Sequence, residues 1–226
     1  MKDRIFVIDG SSYLYRAFHA MPPLSTSTGI PTGAIKGVTN MLMTLKKDSE
    51  GSPIIVVFDA KGKTFRNDIF SSYKANRPPM PDDLRSQIEP VKLICKAIGF
   101  PLLIIDGVEA DDVIATVAEK AKNRNLKCVI SSLDKDLMQL VEDPKVSMMN
   151  TMTHQIFDEE KVLDKFGVKP TQIRDLLALT GDSSDNIPGI PKVGQKTAAK
   201  WLNEFENIKN IKSNADSIKG VVGDNL

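Results

Sequence analysis

Along the first 140 residues, short apolar runs alternate with stretches of helical periodicity. Arg4-Ile5-Phe6-Val7-Ile8-Asp9-Gly10 is an apolar run of strand length that ends in Asp. Ser11 or Ser12 can cap the helix that the pattern predicts from Tyr13 to Ala20. Met21 to Pro31 is a Ser/Thr/Pro/Gly loop. Apolar residues at 35, 38, 41, 42 and 45 predict a helix over Gly33 to Lys47. Pro53 to Asp59 is a second strand, again closed by Asp. Residues 60–81 are polar, basic and aromatic, and a connection of that length inside a compact domain is usually functional or disordered. Asp82 then reads as the cap of a helix with apolar positions 84, 88, 91, 94, 95 and 98, bent by Pro90. Pro101 to Ile105 reads as a buried strand that hands over, through Asp106 to Asp112, to a helix with apolar positions 113, 114, 117, 118 and 121. Lys127 to Ser132 is a fourth strand, leading into Asp134-Lys135-Asp136 and a short helix through Val141. Beyond residue 145 the pattern is helical, with helices expected from Asp158 to Phe166 and from Thr171 to Leu179.

This alternation predicts an α/β protein built on a doubly wound, mainly parallel sheet, with a C-terminal helical appendage. The division falls near residue 150, giving a core over 1–150 and a helical region over 151–226. In open α/β sheets the ligand crevice lies outside the carboxyl ends of the strands. All four predicted strands run into an Asp, so Asp9, Asp59, Glu109, Asp111, Asp112, Asp134 and Asp136 are expected on one edge. Acidic residues in a first helical turn also complement the helix dipole, which is the plain reading of 109–112 by itself. Its recurrence at four strand ends favours a shared site. Carboxylates that close raise one another's pKa unless cations join them, and oxygen-only ligands select hard ions such as Mg²⁺ or Mn²⁺.

Composition narrows the field. The chain has 226 residues, 41% of them hydrophobic and 26% charged, enough for a sizeable core. There is no apolar run near membrane-spanning length, and Met1 to Phe6 leads into a strand without the shape of a signal peptide, so a cytoplasmic protein is expected. Cys95 and Cys128 lie in apolar patterns and read as reduced core cysteines, while His19 and His154 are isolated, which argues against zinc. The net charge of +1 is uninformative, but residues 61–77 carry +4, from Lys61, Lys63, Arg66, Lys74 and Arg77 against Asp68. A basic segment beside an acidic cluster suits a protein that grips phosphates and holds cations.

Residues 180–202 add a second constellation. Asp182 and Asp185 are three apart, and Gly189 and Gly194 bracket a tight hairpin that opens a helix bearing Lys196 and Lys200. Glycines allow close backbone approach, and a helix N-terminus offers free N–H groups to a phosphate.

Taken in order, Phe58-Asp59-Ala60, Phe65-Arg66, Tyr73-Lys74, Arg77 to Pro81, Gly107 to Asp112, Asp134-Lys135-Asp136 and Gly181 to Gly189 resemble the 5′-nuclease domains at the N-terminus of bacterial DNA polymerase I, relatives of the flap endonucleases. The resemblance covers nearly the whole chain. It implies a PIN-like core with a helix-hairpin-helix appendage, residues 60–81 serving as a clamp. The activity it implies is two-metal hydrolysis that removes 5′ flaps and RNA primers during replication and repair. It assigns Asp9, Asp59, Glu109 and Asp111 to a first Mg²⁺ and Asp111, Asp134, Asp136 and Asp182 to a second, with Mn²⁺ able to substitute. Asp112 and Asp185 would act directly or through water. Lys74 and Arg77 would stabilise the scissile phosphate, Tyr73 would stack on an unpaired base, and Arg16 and Arg66 would reach phosphates. Gly189, Val193, Gly194 and Lys196 would hold duplex DNA, with K⁺ bridging the hairpin to phosphate. The implied partner is DNA with flaps, nicks or RNA primers, met by a monomer in the nucleoid-bearing cytoplasm. Two departures stand out. Family domains continue beyond this length, which makes the chain an expected fragment, and Ser132-Leu133 replaces a small residue and Gly. A free-standing flap endonuclease, a PIN-type ribonuclease and an inactive junction-binding module are the rival readings.

Overall fold

The structure, a computed structural model, describes residues 3–218 together with Gly220, Gly223 and Asn225. The first strand, β1 (Arg4–Asp9), is buried on both faces: Phe6 and Ile8 enter one apolar cluster and Val7 another. A strand covered on both sides reads as a continuous apolar run, as β1 does. It pairs in parallel with β2 (Ile54–Val57), setting Phe6 opposite Ile54, and with β4 (Lys127–Ser131), setting Phe6 opposite Val129. With β3 (Leu102–Leu103), β5 (Val146–Met149) and β6 (Ile156–Phe157) these form a six-stranded sheet of order β3-β2-β1-β4-β5-β6. Only β6 runs antiparallel.

Two expectations about strands are corrected. The third strand is shorter than Pro101 to Ile105, because only Leu102 and Leu103 pair, with Val56 and Val57; Ile104 and Ile105 leave the sheet at its edge and are exposed. The chain beyond 145 is not purely helical. Val146, Met148 and Met149 form a buried strand that two methionines and a serine had disguised, since neither residue type signals β structure. The expected division at 150 thus falls inside the β5–β6 connection, and its far end at Leu226 lies outside the described residues.

One face of the sheet is covered by α1 (Gly10–Ala20), α2 (Gly33–Asp48) and α5 (Ile88–Ile98). The cap of α1 is Asp9 itself, whose carboxylate accepts the Ser12 N–H at 2.9 Å, in place of the serines expected. Within the long segment, α3 (Phe65–Ile69) is a single short helix. The helix expected from Asp82 is two pieces, α4 (Asp82–Arg85) and α5. The break falls at Ser86 and Gln87, and Pro90 sits in the first turn of α5, where its missing N–H is no loss. Buried Gln87 staples the break by accepting from the Ile35 N–H and donating to the Asp83 carbonyl.

The other face is covered by α6 (Ala110–Lys122), α7 (Glu159–Phe166), α8 (Ile173–Thr180), α9 (Gln195–Phe205) and α10 (Ile208–Ser213). Trp201, Leu202 and Ile211 share one core with Val7, Ile130 and Ile114, so the helical region is continuous with the sheet. Among the described residues no helix is long and apolar enough to cross a membrane. Ile114, fully buried on the helix that carries Asp111, is a direct probe of this packing. Ile114→Ala should lower stability by about 2–5 kcal/mol, read as a lower urea midpoint with unchanged slope.

Candidate active site

Parallel strands deliver their carboxyl ends to one edge, and there Asp9, Asp59, Asp111 and Asp134 line a crevice of about 250 Å³. Each of the first two is held twice. Asp9 accepts from the Ser12 N–H and, at 2.7 Å, from the Ser132 hydroxyl. Asp59 accepts from the Ser11 hydroxyl at 2.7 Å and from the Ala110 N–H, the first amide of α6, at 2.9 Å. Asp134 accepts from the Asp136 N–H at 2.9 Å. Burial, followed by the charges of Asp134, Asp9 and Asp59, pushes Asp111 up to about 8. Burial likewise raises Asp9 to about 6 against the pull of Ser12 and Ser132, and raises Asp136 to about 6 with help from Asp134 and Asp182. Asp136 Oδ1 is buried without a hydrogen-bond partner.

The basic segment lies across this crevice. Lys74 Nζ stands 2.7 Å from Glu109, and Arg77 Nη2 stands 2.6 Å from Asp185. Between them Tyr73 is buried, its hydroxyl 2.9 Å from both Glu109 and Asp185, so one proton is shared between two carboxylates. Burial and those two neighbours hold the phenol well above its ordinary value. Arg66 grips Asp112 through two bonds of 2.6 and 2.9 Å, holding that carboxyl below its usual range. Asp112 also accepts the Glu109 N–H at 3.0 Å, closing the N-terminus of α6. Lys135 Nζ lies 3.0 Å from Asp182 Oδ2 as an ion pair, off the hydrogen-bond direction. Burial alone would raise Asp182, but Ser184 and Lys135 outweigh it and hold the carboxyl below its ordinary value.

The sequence-predicted residues therefore sort into groups. Asp9, Asp59, Asp111 and Asp134 meet in the crevice, and Asp136, Asp182 and Asp185 adjoin it. Asp112 and Arg66 are paired with each other. Tyr73 is buried, its hydroxyl ties two carboxylates together, and it forms part of the wall of the groove described below. Arg16 sits half-buried on α1 near the Tyr13 phenol. Sequence reasoning missed Ser11, Ser12 and Ser132, which orient the aspartates, and Lys135; the signal it offered was the serines within three positions of Asp9 and Asp134. It also missed a groove of about 690 Å³, walled by Ile69, Phe70, Leu137, Ile187 and Pro188, that shares Glu109 and Asp111 with the crevice.

Among the described residues no three His, Cys, Asp or Glu side chains already converge as a metal cage. Glu109, Asp112, Asp182 and Asp185 face ammonium and guanidinium groups instead. The donor set nevertheless fits hard divalent cations: every donor is oxygen, three carboxyls are raised, and the Asp136 oxygen is orphaned.

The hairpin divides its glycines by role. Gly181, at φ 74, and Gly189 pack backbone to backbone, so that a Cβ on Gly189 would overlap the Thr180 carbonyl carbon and the Gly181 nitrogen. Val193 is buried, Lys192 carries the left-handed turn at φ 67, and Gly194 precedes α9 with nothing within 4 Å of a Cβ placed there. Of the expected hairpin contacts, Gly194 and exposed Lys196 are open to a ligand, whereas Gly189 is used for packing.

Fold and site define a resolvase-like α/β domain closed by a helical region. The chain belongs to the 5′-3′ exonuclease family: the N-terminal resolvase-like domain of that family matches residues 4–167 and its C-terminal SAM fold matches residues 168–226. DNA polymerase I of Pseudomonas aeruginosa is 58% identical over 198 residues, which are 88% of this chain and 22% of that protein. The 5′-3′ exonuclease of Aquifex aeolicus is 49% identical over 210 residues, covering 93% of this chain and 72% of that protein. This chain therefore spans about a fifth of the polymerase it matches. Among solved structures, a bacteriophage T5 flap endonuclease in complex with DNA and metal ions superposes with a TM-score of 0.82 at 25% identity, over 99% of this chain and 83% of that one. The catalytic core of Rad2 with DNA substrate shares the fold, with a TM-score of 0.63 at 20% identity over 96% and 65% of the two chains.

The crowded carboxyls make the stability of the chelator-treated protein depend on pH. Asp9, Asp136 and Asp111 have raised values, so the folded state binds the extra protons and stability falls as pH rises from about 4 through 6 to 8. Asp112 and Asp182 act oppositely, and their contribution is lost only as pH falls below their ordinary value of 3.8. Thermal melts in EDTA should peak between these limits and decline toward pH 8. Asp111→Asn should flatten the upper part of that decline; a melting temperature constant from pH 5 to 8 would contradict the crowding.

Proposed function

We propose that the chain is a structure-specific 5′-nuclease, both 5′-3′ exonuclease and flap endonuclease, that hydrolyses DNA phosphodiesters with two divalent ions, Mg²⁺ with Mn²⁺ able to substitute. The observation that carries this reading is the convergence of carboxylates on one sheet edge, with Asp111 among them pushed to about 8. Asp9, Asp59, Glu109 and Asp111 would hold one ion, and Asp111, Asp134, Asp136 and Asp182 the other, with Asp185 alongside. Bound there, the ions would activate the attacking water and stabilise the leaving oxygen.

The chain's own residues set the rest. Ser11 and Ser132 fix the rotamers of Asp59 and Asp9. Lys74 and Arg77, already poised above the crevice, would exchange their carboxylate partners for the scissile phosphate and stabilise its charge. Arg66 positions Glu109 through Asp112. The open backbone at Gly194 and the start of α9, with Lys196 and a K⁺ ion at the hairpin carbonyls, would hold a duplex phosphate.

On this reading the substrates are 5′ flaps, nicked duplexes and RNA primers, cut by a monomer at the nucleoid during replication and repair. The matched relatives are of two kinds, and the high identity to a polymerase supports a chain that forms the N-terminal part of a DNA polymerase I. A free-standing exonuclease is the second reading, because the chain spans 72% of the Aquifex protein.

A 5′-labelled flap duplex incubated with Mg²⁺ and with EDTA tests the proposal. Cleavage should require the metal. Asp111→Asn should lower the rate more than about 100-fold, since losing even an indirect partner of a metal ligand costs 10–100-fold. DNA affinity should remain. Binding without any cleavage by the unaltered chain would make it an inactive junction-binding module. For the hairpin, Gly194→Val should fold normally yet bind duplex more weakly, with a salt slope smaller by roughly 0.9 per lost phosphate contact. Equal losses on duplex and single strand would assign the hairpin to packing alone.

A further inference from the structure

The segment 72–77 has no regular structure of its own, yet it carries Lys74 and Arg77 to the crevice. Its anchor lies in the other family region, the loop 183–186. Asn76 Nδ2 donates to the Ser183 carbonyl at 2.7 Å, and Asn186 Nδ2 donates to the Ser72 carbonyl at 2.7 Å. The two amides thus cross the joint in opposite directions. Between them the Lys74 N–H donates to the Asp185 carbonyl at 3.0 Å, and Arg77 Nε to the Ser184 carbonyl at 3.0 Å. Lys74 and Asn186 both hold left-handed backbone, at φ 55 and 58. Asn tolerates that conformation, but Lys does not favour it, so surrounding bonds must maintain it at Lys74. The hydrogen bonds of the Asn76 and Asn186 amides go to main-chain carbonyls, and the crevice carboxylates are held by other groups.

We propose that Asn76 and Asn186 are positioning residues that form a reciprocal amide clamp, fixing the basic segment to the 183–186 loop and thereby setting Lys74 over the carboxylates. The proposal rests on the nuclease reading for its consequence, but the clamp itself can be measured without catalysis. Each amide bond contributes roughly 2- to 10-fold to the closed arrangement.

The test uses the full 226-residue chain. Asn186→Gly keeps the left-handed backbone and removes only the amide, and Asn76→Ala removes its counterpart. Hydrogen exchange at the amides of 73–77 should accelerate roughly 10-fold or more in the double variant. The melting temperature should stay within about 4 °C, because the joint lies outside the core. Flap affinity should be unchanged while the single-turnover cleavage rate falls roughly 3- to 10-fold. Because the clamp acts through Lys74, Lys74→Ala should cost less in the Asn186→Gly background than in the unaltered chain. Unchanged exchange at 73–77 would overturn the clamp. Fully additive effects of Asn186→Gly and Lys74→Ala on the rate would overturn its role in positioning. Should the unaltered chain cut no flap, the nuclease reading falls, and the exchange data still decide whether the clamp exists.

Discussion

Mutual repulsion among buried carboxylates is the constraint around which the rest of this structure is arranged. Parallel pairing of β1 with β2 and β4 leaves no choice but to bring their terminal aspartates to one edge. Burial then removes the water that would have screened them, which is why Asp9, Asp111 and Asp136 are raised. The compensation is local and specific. Two helix N-termini supply N–H donors, Ser12 to Asp9 and Ala110 to Asp59, where the positive ends of the dipoles also help. Hydroxyls of Ser11 and Ser132 complete those two pairs.

The second layer of compensation comes from elsewhere in the chain. Lys74, Arg77, Arg66 and Lys135 bring positive charge from the basic segment and from the turn after β4. These contacts are not equivalent to surface pairs. Arg4 and Glu50 are 36% and 75% exposed, and a pair so open to solvent is worth about 0–1 kcal/mol. The Lys74–Glu109 pair is only 24% and 10% exposed, so removing one partner strands a poorly hydrated charge, a loss that approaches about 3–5 kcal/mol when burial is complete. A cation or a phosphate arriving at the crevice competes with interactions of that size. On the proposed reading, the same groups would serve both the fold and its ligands.

The helical region is part of this arrangement. It shares a core with the sheet through Trp201, Leu202 and Ile211, and it sets Asp182 and Asp185 beside Asp136 at the margin of the crevice. The close approach of Gly181 to Gly189 makes that loop tight enough to present both aspartates, while Gly194 leaves the start of α9 open.

Much of this was legible in the residues themselves. The apolar runs ending in Asp9, Asp59 and Asp134 and the helix after Glu109 follow from local periodicity, and parallel topology follows from their alternation with helices. The carboxylate edge is a consequence of those two facts. What sequence could not decide were matters of partner and direction. Two short strands, β5 and β6, gain their structure from a neighbouring edge and not from propensity. The aromatic character of Tyr73 is visible in sequence, but the bonds of its hydroxyl to Glu109 and Asp185 depend on contacts 36 and 112 residues away. Asp112 and Arg66 looked like independent site residues until the fold set them 46 positions apart in sequence but 2.6 Å apart in space. Gly189 and Gly194 are the same residue type five positions apart, and only the crossing of Thr180–Gly181 beneath one of them separates a packing glycine from an open one. Residue type and period settle which groups gather at an edge; long-range packing settles which of them are already satisfied there and which are left facing solvent.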